Sequence, residues 1–183
     1  MSKSTSWWLP PGTHPDASLI LTARGIRAFT DGYVALLLPY YLTLLGYSAL
    51  EVGVIATATL FGSGLLTLLV GVFAYRFRLD VLLTIACLLM LGTGICFAAV
   101  TEFLPLLLIA VIGTLNPSSG DVSVFSPLEQ SLLSHAVTSE HRTALFSRYS
   151  LVGQLIGALG ALAAAAPGIL AQWDILELKA AVQ

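Results

Sequence analysis

Long apolar stretches with very few charged residues constrain the fold of this chain more than any other feature. Hydrophobic residues make up 57% of the 183 residues and charged residues 10%, whereas a soluble domain has about 25% charged residues. So few charges cannot cover a globule in water, so most of the chain is expected to lie in a lipid bilayer. The stretches far exceed the roughly 10 residues of a barrel strand and show no alternation of period two. They predict an all-α integral membrane protein.

Five of these stretches are long enough to cross the hydrocarbon core as helices, because about 20 residues at about 1.5 Å each span it. The fourth is too long for one straight crossing of about 30 Å, so a kink or a tilt is expected within it. A cytoplasmic tail, residues 1–23, is predicted in front of a transmembrane helical bundle, residues 24–166. The five spans are predicted at residues 28–46, 52–75, 81–100, 103–136 and 143–166.

Basic residues fall on one side of the predicted bundle. The opposite loops, residues 47–51 and 101–102, contain none. The positive-inside rule therefore predicts a multi-pass protein of the cell inner (plasma) membrane with a cytoplasmic N-terminus. The formal net charge of −2, without a run of like charges, predicts no nucleic-acid partner. Seven of the eight basic residues lie on the cytoplasmic side: Lys3, Arg24, Arg27, Arg76, Arg78, Arg142 and Arg148.

Small residues recur in three of the predicted spans. Such residues let helix backbones approach closely in lipid, so they predict a compact bundle. They are Gly62, Ser63, Gly64, Gly92, Gly94, Gly153, Gly157 and Gly160.

The last part of the chain, residues 167–183, does not continue the pattern. Pro167 and Gly168 break the fifth span, and Asp174, Glu177 and Lys179 follow. Each of these charges costs roughly 3 kcal/mol at mid-bilayer on insertion scales. The segment is predicted to be an incomplete sixth helix or a tail outside the membrane, which makes the chain resemble a truncated protein.

Two ionisable side chains near the cytoplasmic ends of spans have two interpretations each. Asp31 is either an interfacial residue paired with Arg27, one helical turn away, or a cavity or proton site on the first helix. Arg148 either extends to the cytoplasmic surface or forms an ion pair with Glu129 or Asp121 on the neighbouring helix.

Polar residues interrupt the fourth span between residues 116 and 130. Pro117 and Gly120 weaken the helix there. Broken helices at membrane depth line a cavity or pack within protein; the alternative is a polar cytoplasmic extension of the helix. Under the cavity interpretation, a path for substrate or protons is predicted at Asp31, Asn116, Ser119, Asp121 and Glu129. No residues have metal-ligand spacing, so neither a metal nor a cofactor is expected.

The segment of residues 24–78 resembles the start of a major facilitator superfamily transporter. The first helix, RAFTDGYVALLLPYYLTLLGYS, contains an early acidic residue, Asp31, and then Pro39, as in that family. The loop GVFAYRFRLD is similar to the family signature after the second helix, which Gly71 and Arg76 match. Tyr75 and Arg78 occupy the positions of its Asp and its second Gly.

This resemblance implies one six-helix half of a twelve-helix transporter, here with its sixth helix incomplete. It implies movement of a small solute by alternating access between this half and a missing C-terminal half, and the coupling ion, a proton or another, stays open. It also implies that helices one and four face the path. Gating or ion-pair roles are predicted for Arg76 and Arg78, in the loop that is similar to the signature, and for Arg148, from its position near the start of the fifth span.

Two other classes of function stay open. One is a truncated membrane remnant that transports nothing. The other is an intramembrane enzyme, which the residues disfavour because no nucleophile lies beside a base and no nucleotide-binding loop is present. The chain is therefore not expected to be an enzyme.

Overall fold

The computed structural model describes residues 9–10, 12–113 and 123–167, and regular structure within these ranges is entirely helical. The helices are α1 Asp16–Leu44, α2 Ala49–Phe73, α3 Leu79–Ala99, α4 Phe103–Ile112, α5 Phe125–His135 and α6 Arg142–Ala163, with short 3-10 turns at Ala74–Arg76 and Ser139–His141. The segments Ala49–Arg76, Leu79–Ala99 and Ser139–Ala163 are long and apolar enough to cross a membrane, and α4 is a shorter apolar helix. The predicted all-α membrane fold is confirmed.

The first helix is longer than its predicted span. It begins at Asp16 rather than at residue 28, so the last part of the predicted tail is helical. Ala17 and Leu21 are fully buried there, in one apolar cluster with Leu145 and Tyr149 of α6. Burial of this apolar face extends the helix through a segment whose charges suggested a loop.

The predicted fourth span is two separate helices in the described residues. The fourth helix, α4, ends at Ile112, where Gly113 has extended backbone angles, and α5 begins at Phe125. Residues 114–122 between them lie outside the described residues.

Two pairs of helices approach most closely, and glycine forms each contact. Helix α1 packs most extensively on α6, and α2 packs on α4. A Cβ atom on Gly160 would overlap the carbonyl oxygen of Phe29, and one on Gly62 would overlap that of Val111. Gly64, which the sequence grouped with Gly62, faces open space.

An apolar cluster lies at the end of the bundle that is farther from the ionisable residues of α1. Leu38, Leu42, Ile55, Phe97 and Leu106 form one buried cluster there, drawn from α1, α2, α3 and α4. The outer faces of α2 and α3 carry many exposed large apolar side chains, as expected of surfaces in lipid.

Two loops meet at the same end of the bundle. The hydroxyl of Tyr47 donates a hydrogen bond to the carbonyl oxygen of Thr101 at 2.6 Å. Partial removal from water, together with the carboxylates of Glu51 and Glu102, raises the pKa of Tyr47 above its usual value. Ser48 and Glu51 form a reciprocal capping box at the start of α2, which fixes where this helix begins.

Candidate functional site

A buried ion pair joins α1 to α5. Both terminal nitrogens of the Arg27 guanidinium donate to the Glu129 carboxylate, Nη1 to Oε1 and Nη2 to Oε2, the latter at 2.9 Å. The Arg27 side chain is 8% exposed and that of Glu129 is 4% exposed. Two parallel hydrogen bonds are the strongest arrangement of an arginine and a carboxylate. Because the pair is buried, removal of either partner would leave an uncompensated charge away from water.

A third helix contributes to the same carboxylate. The hydroxyl of Tyr149 in α6 donates to Oε2 of Glu129 at 2.6 Å, and Tyr149 is 2% exposed. Glu129 therefore accepts three hydrogen bonds from two helices. Its carboxylate fixes the relative positions of α1, α5 and α6.

Aromatic rings cover the two arginines of α1. The Arg27 guanidinium lies 4.3 Å from the ring centre of Phe125, and that of Arg24 lies 4.9 Å from the ring centre of Tyr149. Both are cation–π distances. Because Arg24 and Arg27 are three residues apart, they lie on the same face of the helix. We refer to Arg24, Arg27, Glu129 and Tyr149 as the ionic cluster.

The sequence located Glu129 but not its partner. The expected alternative of an Arg148–Glu129 pair is wrong, because the carboxylate is taken by Arg27 and Tyr149. Arg148 is half-buried, and its Nη1 atom makes no hydrogen bond with any residue that the structure describes. Asp31 is half-buried as well and makes no direct pair with Arg27.

The positions of Arg24 and Arg27 also affect the prediction of a cytoplasmic N-terminus, which was based on the distribution of basic residues. They were counted among the basic residues that precede the first predicted span, but both lie inside α1 and are 8% exposed. Each guanidinium lies against an aromatic ring, and that of Arg27 also faces the Glu129 carboxylate. Arg24 and Arg27 therefore do not count as loop charges in the argument for orientation.

Two other predicted site residues, Arg76 and Arg78, do not join the ionic cluster. Asn116, Ser119 and Asp121 fall in the segment outside the described residues. Arg78 pairs with Asp80 two residues away at 2.9 Å, both strongly exposed, and Arg76 contacts the neighbouring Tyr75. These arginines make local contacts at the surface.

A cleft of about 880 Å³ lies between α1, α3 and α5. Most of its wall is apolar, and Arg27 and Glu129 form a polar part of it. The size is within the range of small-molecule sites. Other lining residues include Tyr33, Leu37, Tyr41, Leu83, Cys87, Met90 and Phe97.

A stripe of polar residues on α6 escaped the sequence reasoning. Thr143, Ser147, Ser150 and Gln154 are all exposed, and their spacing of four, three and four residues places them on one helix face. Ser147 donates to the carbonyl oxygen of Thr143 at 2.9 Å. Gln154 makes no hydrogen bond with any described residue. We call these four residues the polar stripe; the spacing was the signal that could have found it.

The residues described contain no group of three His, Cys, Asp or Glu side chains placed to hold a metal ion. Among the described residues, the ionic cluster is buried and the polar stripe is exposed.

Fold and buried charge together define an all-α membrane protein. The chain is similar to the uncharacterized membrane protein YJR124C of Saccharomyces cerevisiae, with 25% identity over 147 residues. The similarity covers 80% of this chain and 33% of that protein, so the chain spans about a third of the length of this relative. No family model matches the chain. No solved structure matches it.

Proposed function

We propose that the protein is a secondary active transporter of a small solute, of the major facilitator type, that works by alternating access. The polar stripe carries the proposal. It lies exposed on a helix that is long and apolar enough to span a membrane. Ser and Thr can satisfy their own helix backbone, but the Gln154 amide cannot, so this face needs water or protein beside it. A solute path supplies that water.

The pairing of the helices supports the same proposal. Each half of such a transporter contains an inverted repeat that relates spans one, two and three to spans four, five and six. Contact between spans one and five is then equivalent to contact between spans four and two. In this chain α6 is the fifth span and α4 is the first part of the fourth. The two closest helix pairs, α1 with α6 and α4 with α2, are therefore related in this way. Each pair has a glycine at its contact, Gly160 against Phe29 and Gly62 against Val111.

The ionic cluster has the chemistry needed for coupling to protons. Protonation of Glu129 would remove the negative charge that Arg27 faces and convert one acceptor oxygen into a donor. The bonds that connect α1, α5 and α6 would weaken together, so these helices could change their relative positions. Asp31, Asn116, Ser119 and Asp121 complete the proposed path, and Arg76, Arg78 and Arg148 remain proposed gate residues.

The proposal includes a plasma-membrane location, a cytoplasmic N-terminus and a second half as partner. Single cysteines at Ser48 and Ser139, in a chain with Cys87 and Cys96 replaced by Ala, test the orientation. An impermeant maleimide added to intact cells should label Ser48→Cys and not Ser139→Cys. The reverse pattern would contradict the orientation.

Transport is tested in liposomes that contain a pH-sensitive dye, with this chain joined to the C-terminal half that the proposal requires. Sugars, amino acids, organic cations, carboxylates and neutral lipophilic compounds are added in turn, and solute uptake and internal pH are followed. At least one class should enter, and Gln154→Leu should slow its entry, whereas Thr57→Val, at an exposed polar position of α2, should not. Absence of uptake for every class by correctly inserted protein would favour the non-transporting remnant.

A further inference from the structure

A groove on the outer surface of α6 contains the whole polar stripe. Its volume is about 690 Å³, which is within the range of small-molecule sites. All four residues of the polar stripe line it, together with Phe146 and Leu151. Elsewhere the exposed face of α6 carries large apolar side chains, those of Leu155, Leu159 and Leu162. The exposed polar groups of this helix are therefore collected in one concave surface.

The hydrogen-bonding groups of the stripe are available to a solute. Thr143, Ser150 and Gln154 are exposed, and their side chains make no hydrogen bond with any residue that the structure describes. Ser147 donates to the carbonyl oxygen of Thr143, which leaves its own oxygen able to accept. Hydroxyl and amide groups can both donate and accept, so the stripe suits a solute whose groups do the same.

Charge is nearly absent from the wall of the groove. Arg142 is the charged residue among those that line it, and its Nη2 atom donates to the carbonyl oxygen of Ser134 at 3.2 Å. Arg148 lies in the same part of α6 but does not line the groove. A cation would therefore find no carboxylate on the described wall, and an anion would find opposite charge only at Arg142. An apolar solute would leave the Gln154 amide without a partner.

The spacing of the stripe and its apolar margins restrict the solute further. Ser147, Ser150 and Gln154 extend from residue 147 to residue 154, a rise of about 10 Å at about 1.5 Å per residue. Phe146 lies four residues before Ser150 and therefore flanks one side of the stripe. Leu151 lies four residues after Ser147 and flanks the other side. A sugar ring has hydroxyl groups at its edge and C–H groups on its faces, and this wall offers polar groups between two apolar margins.

We propose that the solute of this groove is a neutral, hydroxyl-rich small molecule, a sugar or a polyol. Its hydroxyl groups exchange hydrogen bonds with Ser147, Ser150 and Gln154, and the ring of Phe146 covers its C–H groups. The inference rests on the proposed function, because a transport path supplies the water through which such a solute reaches the groove.

Protection of a cysteine at the margin of the groove measures binding separately from transport. The protein is this chain joined to its C-terminal half, in nanodiscs, with its own cysteines replaced by Ala. Leu151→Cys places the reporter in the groove, and Leu155→Cys, exposed on α6 outside the groove, is the matched control. A water-soluble maleimide reports the labelling rate of each.

The probes differ in charge and in the number of hydroxyl groups. The neutral set is glucose, galactose, maltose, sucrose and sorbitol. Glucuronate adds a negative charge to the ring, glucosamine at mildly acidic pH adds a positive charge, and cyclohexylmethanol keeps a six-membered ring with a single hydroxyl.

At least one neutral sugar or polyol should slow the labelling of Leu151→Cys several-fold at saturation and leave Leu155→Cys unchanged. Glucuronate, glucosamine and cyclohexylmethanol should each protect more weakly. Ser150→Ala should weaken binding of the protecting sugar about fivefold, the value of one hydrogen bond. Thr57→Val, which removes an exposed hydroxyl of α2, should leave the protection unchanged.

Three results would overturn this inference and leave the proposed function to its own uptake measurement. Stronger protection by a charged analogue would exclude a neutral solute, and equal protection by cyclohexylmethanol would exclude a role for the hydroxyl groups. Protection by none of the neutral set, with Leu151→Cys readily labelled, would exclude the substrate class.

Failure of the proposed function gives a different result. If the maleimide does not label Leu151→Cys at all, the stripe is not hydrated, and both proposals are wrong. Protection by a neutral sugar without uptake of any solute would support the binding site and contradict transport.

Discussion

At both of the closest helix crossings a glycine lies against a backbone carbonyl, Gly160 of α6 on Phe29 of α1 and Gly62 of α2 on Val111 of α4. The side chains around the two crossings differ. Towards one end of the α1–α6 interface lies the ionic cluster, whereas the α2–α4 interface is filled by apolar residues such as Ile55 and Leu106. The same backbone contact therefore supports two different interiors.

The polar groups of the two interiors differ in how they are satisfied. Beside α2–α4, the buried hydroxyl of Thr59 bonds to carbonyl oxygens of its own helix, those of Ile55 and Ala56. In the ionic cluster, the bonds of Glu129 run to other helices. A buried ion pair is weak support for stability, and apolar residues of similar volume often serve as well. The α2–α4 contact is therefore apolar and satisfied within its own helices, whereas the ionic cluster joins three helices through a charged pair.

The largest effect is expected from Glu129→Ala. It leaves Arg27 buried without its counter-charge and should lower the free energy of unfolding by about 4 kcal/mol. Unfolding by sodium dodecyl sulfate titration, followed by circular dichroism, measures this loss. Asp80→Ala, which breaks the exposed pair with Arg78, is the control and should give no measurable change. Similar behaviour of both variants would mean that the cluster is hydrated and that the contrast between the interiors is wrong.

The two glycine contacts should respond alike. Gly160→Ala and Gly62→Ala each force apart a helix pair whose backbones touch, and each should cost about 3 kcal/mol in thermal unfolding experiments in detergent. Gly64→Ala is the matched control, because a Cβ atom there meets open space. Loss of stability at only one crossing would break the equivalence of the two pairs.

Removal of a single hydroxyl group should have a different effect on stability in each of the two interiors. Tyr149→Phe removes one donor from a buried carboxylate and should cost about 2 kcal/mol. Thr59→Val removes a hydroxyl whose acceptors already belong to a helix, so its effect on unfolding should be near zero. Equal losses from the two variants in parallel denaturant titrations would show that hydroxyls contribute similarly in both interiors.

The smallest effect concerns the end of the bundle where Tyr47 donates to Thr101. Because the pKa of Tyr47 is raised, the neutral form is favoured in the folded protein. Its contribution is complete below the usual tyrosine pKa of about 10 and is lost as the pH rises through the higher folded value. Tyr47→Phe should therefore reduce the fall in melting temperature between neutral and strongly alkaline pH. An unchanged alkaline profile would remove Tyr47 as its source.

The sequence identified Glu129 as a site residue but missed Arg27 and the polar stripe. Glu129 was singled out because a carboxylate in an apolar stretch needs a partner. Arg27 was counted among the basic residues that precede the first span, since charges near the start of a span resemble loop charges until an interior partner is known. The polar stripe was overlooked because Ser and Thr are common in membrane helices, and only exposure distinguishes a hydrated face from a packed one.

Composition and the length of the apolar stretches determined that this is a helical membrane protein, because so few charges cannot cover a globule in water and the stretches are too long and too uniform for barrel strands. Which glycines touch, and which arginine faces Glu129, depended on how the helices are rotated and offset against each other. Arg27 and Glu129 are 102 residues apart in the chain. No local pattern specifies such a pair; packing of α1 against α5 and α6 brings its atoms within bonding distance.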